Sequence, residues 1–163
     1  MNAVAAWLLD FGEGRLAAVG LREVLHIAYA PRLTAIPQTP AHCSRVLIIE
    51  ERVVPVWEPA VWLGAAAPEQ ASRLAAIVGY QNSRRAPVQF GALLIAVPPL
   101  RIMVSDEDAC ALPATPPGWR AIAMSCVRRH DRPIPILDLR SMFSAPLFAG
   151  NSTATPAPCA NMT

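Results

Sequence analysis

Three histidines (His26, His42 and His130) and four cysteines (Cys43, Cys110, Cys126 and Cys159) are the residues of this chain best suited to nucleophilic or metal chemistry. His42 adjoins Cys43, and Cys126 precedes His130 by four positions. Two such ligands do not make a zinc site, and the Cys-x-x-Cys half that usually completes one is missing. On a strand, positions four apart lie about 13 Å from one another. His130, inside Arg129-His130-Asp131, reads more simply as a polar turn residue. A serine hydrolase would need a Gly-x-Ser-x-Gly elbow, and none is present. Gly12 and Gly14 precede an apolar β-run instead of a helix, so they do not form a phosphate loop. Asp106, Glu107 and Asp108 lack the further oxygen ligands that calcium requires at loop spacing, and they read as a solvated loop. The expectation is a protein with no catalytic group, no metal and no cofactor.

Bulk properties narrow the remaining classes. The 163 residues suffice for one domain or two fused subdomains. Hydrophobic residues make up 53% and charged residues 16%, which excludes a disordered chain and implies much buried or partner-facing apolar surface. All 14 basic residues are arginine, yet the net charge is only +2, too small for a nucleic-acid footprint. The pairs Arg84-Arg85 and Arg128-Arg129 fall in expected turns without interleaved aromatics, so no nucleic-acid partner is expected. The longest apolar run, Phe90 to Leu100, is about half of the ~20 residues needed to span a bilayer, so no membrane insertion is expected. Met1 to Asp10 lacks a basic segment and a cleavage signature. The expected location is therefore cytoplasmic, with the cysteines as thiols and the Asn151-Ser152-Thr153 sequon without consequence.

The elements that must position these residues are short. Ala3 to Phe11 and Arg15 to Val19 read as a hairpin across Gly12-Glu13-Gly14, followed by a helical turn from the i, i+3, i+4 spacing of Leu21, Val24 and Leu25. Pro31, Pro37 and Pro40 impose an extended connection. Arg45 to Ile49 and Arg52 to Trp57 form a second hairpin, and Glu58-Pro59 starts a short helix ended by Gly64. Ala65 to Glu69 reads as a subdomain boundary, after which the cycle repeats. Leu74 to Tyr80, Val88 to Val97 and Arg101 to Val104 are strands. Arg120 to Val127 and Pro133 to Leu139 form a last hairpin, and Arg140 to Phe143 a helical turn. Arg52-Val53-Val54-Pro55-Val56-Trp57-Glu58 and Arg132-Pro133-Ile134-Pro135-Ile136-Leu137-Asp138 share one plan: arginine, apolar run, internal proline, acid, helix. Their prolines suggest edge positions. Trp7, Trp57, Trp62 and Trp119 read as core anchors, with Trp119 partly exposed. The expected fold is all-β: two similar barrel-like units in residues 1–143, with 144–163 as a flexible tail.

Several of these segments resemble the CheW-like domain of bacterial chemosensory systems. Arg15 to Leu25 is similar to that family's strand followed by its "V-x-E-V/I" helix. Arg32-Leu33-Thr34-Ala35-Ile36-Pro37-Gln38-Thr39-Pro40 is similar to its "LT-x-I/L-P-x-x-P" connector. Val46 to Glu58 resembles its "G-V-x-N-L-R-G-x-V-x-P-V-x-D" hairpin, ungapped from Pro40 to Pro55, and Pro133 to Leu139 resembles its closing strand and helix. The resemblance implies two small five-stranded barrels sharing a hydrophobic seam, with short helical turns. It also implies a non-catalytic adaptor that binds a chemosensory histidine kinase's regulatory domain and a chemoreceptor's cytoplasmic tip. The interaction residues it implies are Leu21, Glu23, Ile49, Glu50, Glu51 and Arg52. Where the family has Asn-Leu-Arg-Gly, this chain has Ile48-Ile49-Glu50-Glu51, with Glu23 the expected neighbour of Glu50; where the family has a glycine before the strand, it has Arg45. A CheW-like structural partner or competitor that has lost receptor coupling, and an unrelated small β-barrel enzyme or ligand binder, remain as alternatives.

Overall fold

The computed structural model describes residues 2–66 and 74–144. The chain runs β1 (Val4–Asp10), β2 (Leu16–Gly20), β3 (Val24–Tyr29), β4 (Leu33–Ala35), β5 (Arg45–Ile49), β6 (Arg52–Trp57) and α1 (Pro59–Trp62). It continues with β7 (Leu74–Tyr80), β8 (Gln89–Ile95), β9 (Leu100–Val104), α2 (Trp119–Ile122), β10 (Ala123–Arg129), β11 (Arg132–Leu137) and α3 (Leu139–Met142). The expected tail after Ser144, and with it Cys159, lies outside the described residues, as does most of the expected boundary.

The repeat read in the sequence is present, but it does not delimit the sheets. Each half of the chain offers a hairpin, a single strand, a second hairpin and a helical turn, to which the first half adds β4 and the second adds α2. The first sheet has the order β10-β11-β2-β1-β9 and the second β3-β7-β8-β6-β5-β4. The leading hairpin of each half therefore pairs with the trailing strands of the other half. β1 joins β9 and β2 joins β11, while β7 joins β3 and β8 joins β6. A cut near Ala65 would divide the second sheet, since β6 and β7, which lie on either side of it, belong to the same sheet. The second sheet also has six strands instead of five, because the three-residue β4 pairs with the edge of β5.

Two-sided apolar strands explain the hydrophobic composition. Ala6, Ala18, Ile102, Val127 and Ile134 fill the first unit, and Leu47, Val54, Val56, Ala75, Ile77, Ala92 and Leu94 fill the second. The opposite faces meet in a third, shared cluster that includes Leu9, Val19, Trp57, Val78, Leu93 and Leu137. Both β9 and β10, the edges of the first sheet, contribute to that unit's own cluster. An antiparallel bridge between Ala109 and Val127 joins the chain just past β9 to β10, bringing those two edges together.

Local chemistry accounts for the differences from expectation. Pro55 and Pro135 lie on interior strands, not edges, but each sits one residue before its strand's short parallel ladder, which begins at Val56↔Ala92 and Ile136↔Ala18. The missing N–H is thus tolerated where the second neighbour is not yet engaged. Leu21 to Leu25 does not form a helix. The chain turns at residues 21–23 and enters β3, which pairs with β7. A five-residue window cannot separate the helical period from a turn followed by a strand. Arg128 and Arg129 end β10 instead of occupying its turn, and Trp119 is buried at 4% exposure.

Candidate interaction surface

The β5–β6 hairpin closes on the pair Ile49↔Arg52, which leaves Glu50 and Glu51 as a two-residue turn. Both have left-handed backbone, with φ of 47° and 66°. Such turns match the twist of the strands, but they favour Asn and Gly, because a Cβ crowds the backbone at positive φ. His130 and Asp131 make the equivalent turn in the β10–β11 hairpin, with φ of 46° and 59°. The two acids at the first tip are exposed. Ile49 packs onto the second unit's cluster, and the Arg52 guanidinium sits 5.1 Å from the centre of the Phe90 ring, a cation–π contact. Ile48 and Val53, directly paired across the hairpin, are 62% and 41% exposed. They form an apolar spot beside the acidic tip. Sequence reading missed them because the runs containing them are apolar on both faces and give no alternation signal.

Leu21 and Glu23 lie elsewhere. They occupy the β2–β3 turn, next to the edge strand β3, and β7 and β8 separate that strand from the β5–β6 hairpin. The Leu21 carbonyl accepts a hydrogen bond from Trp7 Nε1 at 3.1 Å. Glu23 Oε2 accepts from the Gly20 N–H at 2.6 Å, and its carbonyl accepts from Gly79 N at 2.8 Å. Burial raises the Glu23 carboxyl above its usual range. The Gly20 N–H pulls it back, and Asp138 pushes it up again. The carboxylate facing Glu23 is therefore Asp138, not Glu50, and the expected Glu23–Glu50 repulsion is corrected on that ground. Leu25 and Val88, both about half exposed, flank Gly79 at this end of the sheet.

The two acids that begin the helical turns act differently. Asp138 caps α3, with Oδ1 accepting from Ser141 N at 3.1 Å and Oδ2 from Ser141 Oγ at 2.7 Å. Glu58, 4% exposed, turns instead to Arg45, whose Nε and Nη2 both donate to Oε1. The Arg45 departure noted in the sequence thus supplies the cation for a buried carboxylate. Each helical turn then docks on the other unit. Trp62 Nε1 donates to the Gly118 carbonyl at 3.0 Å, and the Phe143 ring covers Gly91 while stacking on Tyr80 with centroids 5.2 Å apart. A Cβ at Gly91 would fall within the Phe143 ring's contact envelope, so glycine is required by close approach. His42 and Cys43 are both buried, the His42 ring lying 4.5 Å from Trp57 and 4.8 Å from Trp62.

A cleft of about 480 Å³ opens between the β1–β2 turn and the start of β11, lined by residues including Glu13, Arg15, Pro116, Trp119 and Arg132. Arg15 is neutralised by Glu13 at 2.8 Å. Four separate segments form this cleft, so no local pattern along the chain announces it. Among the described residues, no helix is long and apolar enough to cross a membrane.

Two sheets with private cores and a common seam, each closed by an acid-led helical turn, define a small two-unit β protein. The chain belongs to the CheW-like domain family, whose model matches residues 8–147. Among solved structures it is similar to the scaffolding protein TtCheW from Thermoanaerobacter tengcongensis, with a TM-score of 0.72 at 15% identity, covering 90% of this chain and 92% of that one. No curated protein matches significantly. Family membership makes it a chemotaxis coupling adaptor at the level of the family.

Proposed function

We propose that this chain is a non-catalytic, cofactor-free cytoplasmic adaptor that couples chemoreceptors to a histidine kinase. Its partners are the kinase's regulatory domain and the receptor's cytoplasmic tip. The observation that supports this most is the family match across residues 8–147, which takes in both units of the fold. The β5–β6 tip, Ile49 to Arg52, is the contact we assign to a partner, with Ile48 and Val53 extending it by apolar area. Leu21 and Glu23, on the β2–β3 turn, belong to a separate contact. A second reading, a structural partner without receptor coupling, is favoured by the exposed Glu50-Glu51 tip that replaces the family's Asn-Leu-Arg-Gly turn. Titrating the chain with a kinase regulatory domain and, separately, with a receptor cytoplasmic tip distinguishes them. Binding to both supports coupling, binding to the kinase alone supports the second reading, and binding to neither rejects both.

A further inference from the structure

Cys110 and Cys126 are sixteen positions apart in sequence, yet their Sγ atoms lie 3.5 Å from each other. They are direct cross-strand neighbours: Ala109 bridges Val127, and the Cys110 N–H donates to the Cys126 carbonyl at 2.9 Å. This is the place where the chain past β9 meets β10, so the two thiols straddle the contact that joins the two edges of the first sheet. A disulfide needs sulfurs about 2.05 Å apart, with Cα atoms usually about 4.4–6.8 Å apart. Directly opposed residues of an antiparallel pair meet the second condition at about 4.5–5.5 Å. Side-chain rotation has to supply only the last 1.5 Å or so between the sulfurs.

From this geometry we infer that Cys110 and Cys126 form a reversible disulfide, made by a peroxide and undone by a dithiol, that covalently staples the first unit closed. The two sulfurs have unequal roles. Cys110 is only partly buried, whereas Cys126 is buried, so Cys110 is the one a solvent-borne oxidant reaches. Cys126 is 3% exposed, and its thiol is pushed up to about 12, first by burial and then by the neighbouring Cys110. Cys110, the more accessible sulfur, gives up its proton and attacks the peroxide O–O bond. It becomes a sulfenic acid, and the departing hydroxide takes up a proton to leave as water. Cys126 sulfur then attacks the Cys110 sulfur and forms the S–S bond. The S–O bond breaks, and the expelled hydroxide collects the Cys126 proton as a second water. In sum, two thiols and one hydrogen peroxide give one disulfide and two waters. A dithiol returns both thiols by exchange and is itself oxidised to a disulfide. None of this depends on which partner the protein binds.

The test treats the full-length chain with hydrogen peroxide, blocks remaining thiols in denaturant, and digests with trypsin. Cys110 falls on peptide 102–120 and Cys126 on peptide 121–128, since cleavage follows Arg101, Arg120 and Arg128. The expected product is these two peptides joined, two hydrogens lighter than their sum, and separated again by dithiothreitol. Closing a loop of this length should raise the Tm by about 6–12 °C, reversibly. Cys110→Ser, at a partly buried position, should fold normally and lose both the linked peptide and the shift. Peptides that stay unlinked, Cys110 ending as sulfinic acid, or a linkage to Cys43 or Cys159 each overturn the pair. A linked product whose Tm is unchanged or lowered overturns the staple.

Discussion

Removing the Arg45 guanidinium should destabilise this protein more than any exposed ion pair would suggest. Its partner Glu58 has a side chain only 5% exposed, and Arg45 itself is 22% exposed. Two guanidinium nitrogens converge on one carboxylate oxygen. Arg45→Ala removes the guanidinium from that carboxylate, which stays buried. Losing one partner of a fully buried pair costs about 3–5 kcal/mol. Water reaching the partly exposed arginine side reduces this to about 2–4 kcal/mol. For a chain of this length, that is a Tm drop of about 4–16 °C. The assay is urea unfolding of wild type, Arg45→Ala, Glu58→Gln and the double variant. The cycle should give a coupling of at least about 1.5 kcal/mol, because the neutral amide no longer needs the cation. An Arg45→Ala variant within about 0.5 kcal/mol of wild type would show that Glu58 finds another way to be satisfied, and the argument would fail.

The remaining expectations are brief. Replacing Glu50-Glu51 with Asn-Gly suits a turn whose two residues are both left-handed, and should stabilise by about 1 kcal/mol in the same urea assay. Gly91→Ala forces Phe143 off its site and should cost about 1–3 kcal/mol, which Phe143→Leu in the same chain partly recovers. Glu23, raised by burial, favours its protonated form in the folded state, so it opposes folding once ionised. Stability measured upward from pH 4.5 should therefore fall more steeply in wild type than in Glu23→Gln, and then level off above the folded-state value. Fragments 1–66 and 67–163, purified separately, should each lack cooperative unfolding and regain it on mixing, because every sheet needs strands from both.

Most of the fold was legible because its punctuation is local. Glu58-Pro59 and Asp138 start helical turns, Gly12-Glu13-Gly14 and His130-Asp131 mark hairpins, and the repeated arginine–proline–acid plan showed two matching halves. What the sequence hid was pairing between distant segments. Nothing in Leu16 to Gly20 says that its neighbour is β11, so the exchange of hairpins between the halves had no local signature. Cys110 and Cys126 meet only because the chain past β9 folds back on β10, and spacing rules for metal or redox motifs do not see cross-strand pairs. The candidate site was legible as a hairpin and no further. Ile49 to Arg52 stand together as their spacing requires. Glu23 was paired with the wrong carboxylate, since its true neighbour Asp138 lies far along the chain. Arg45 could be noted as a departure, but its role appeared only with the position of Glu58.

The most direct measurement is a binding titration of the purified chain against two labelled proteins, a chemosensory kinase regulatory domain and a receptor cytoplasmic tip, alone and together. The adaptor account predicts saturable binding to each, and a complex of all three in which neither partner displaces the other. It further predicts that Ile48→Asp with Val53→Asp weakens one of the two interactions at least tenfold, while the far-UV spectrum and melting curve stay those of wild type. Failure to bind either protein, with the chain fully folded, would contradict it.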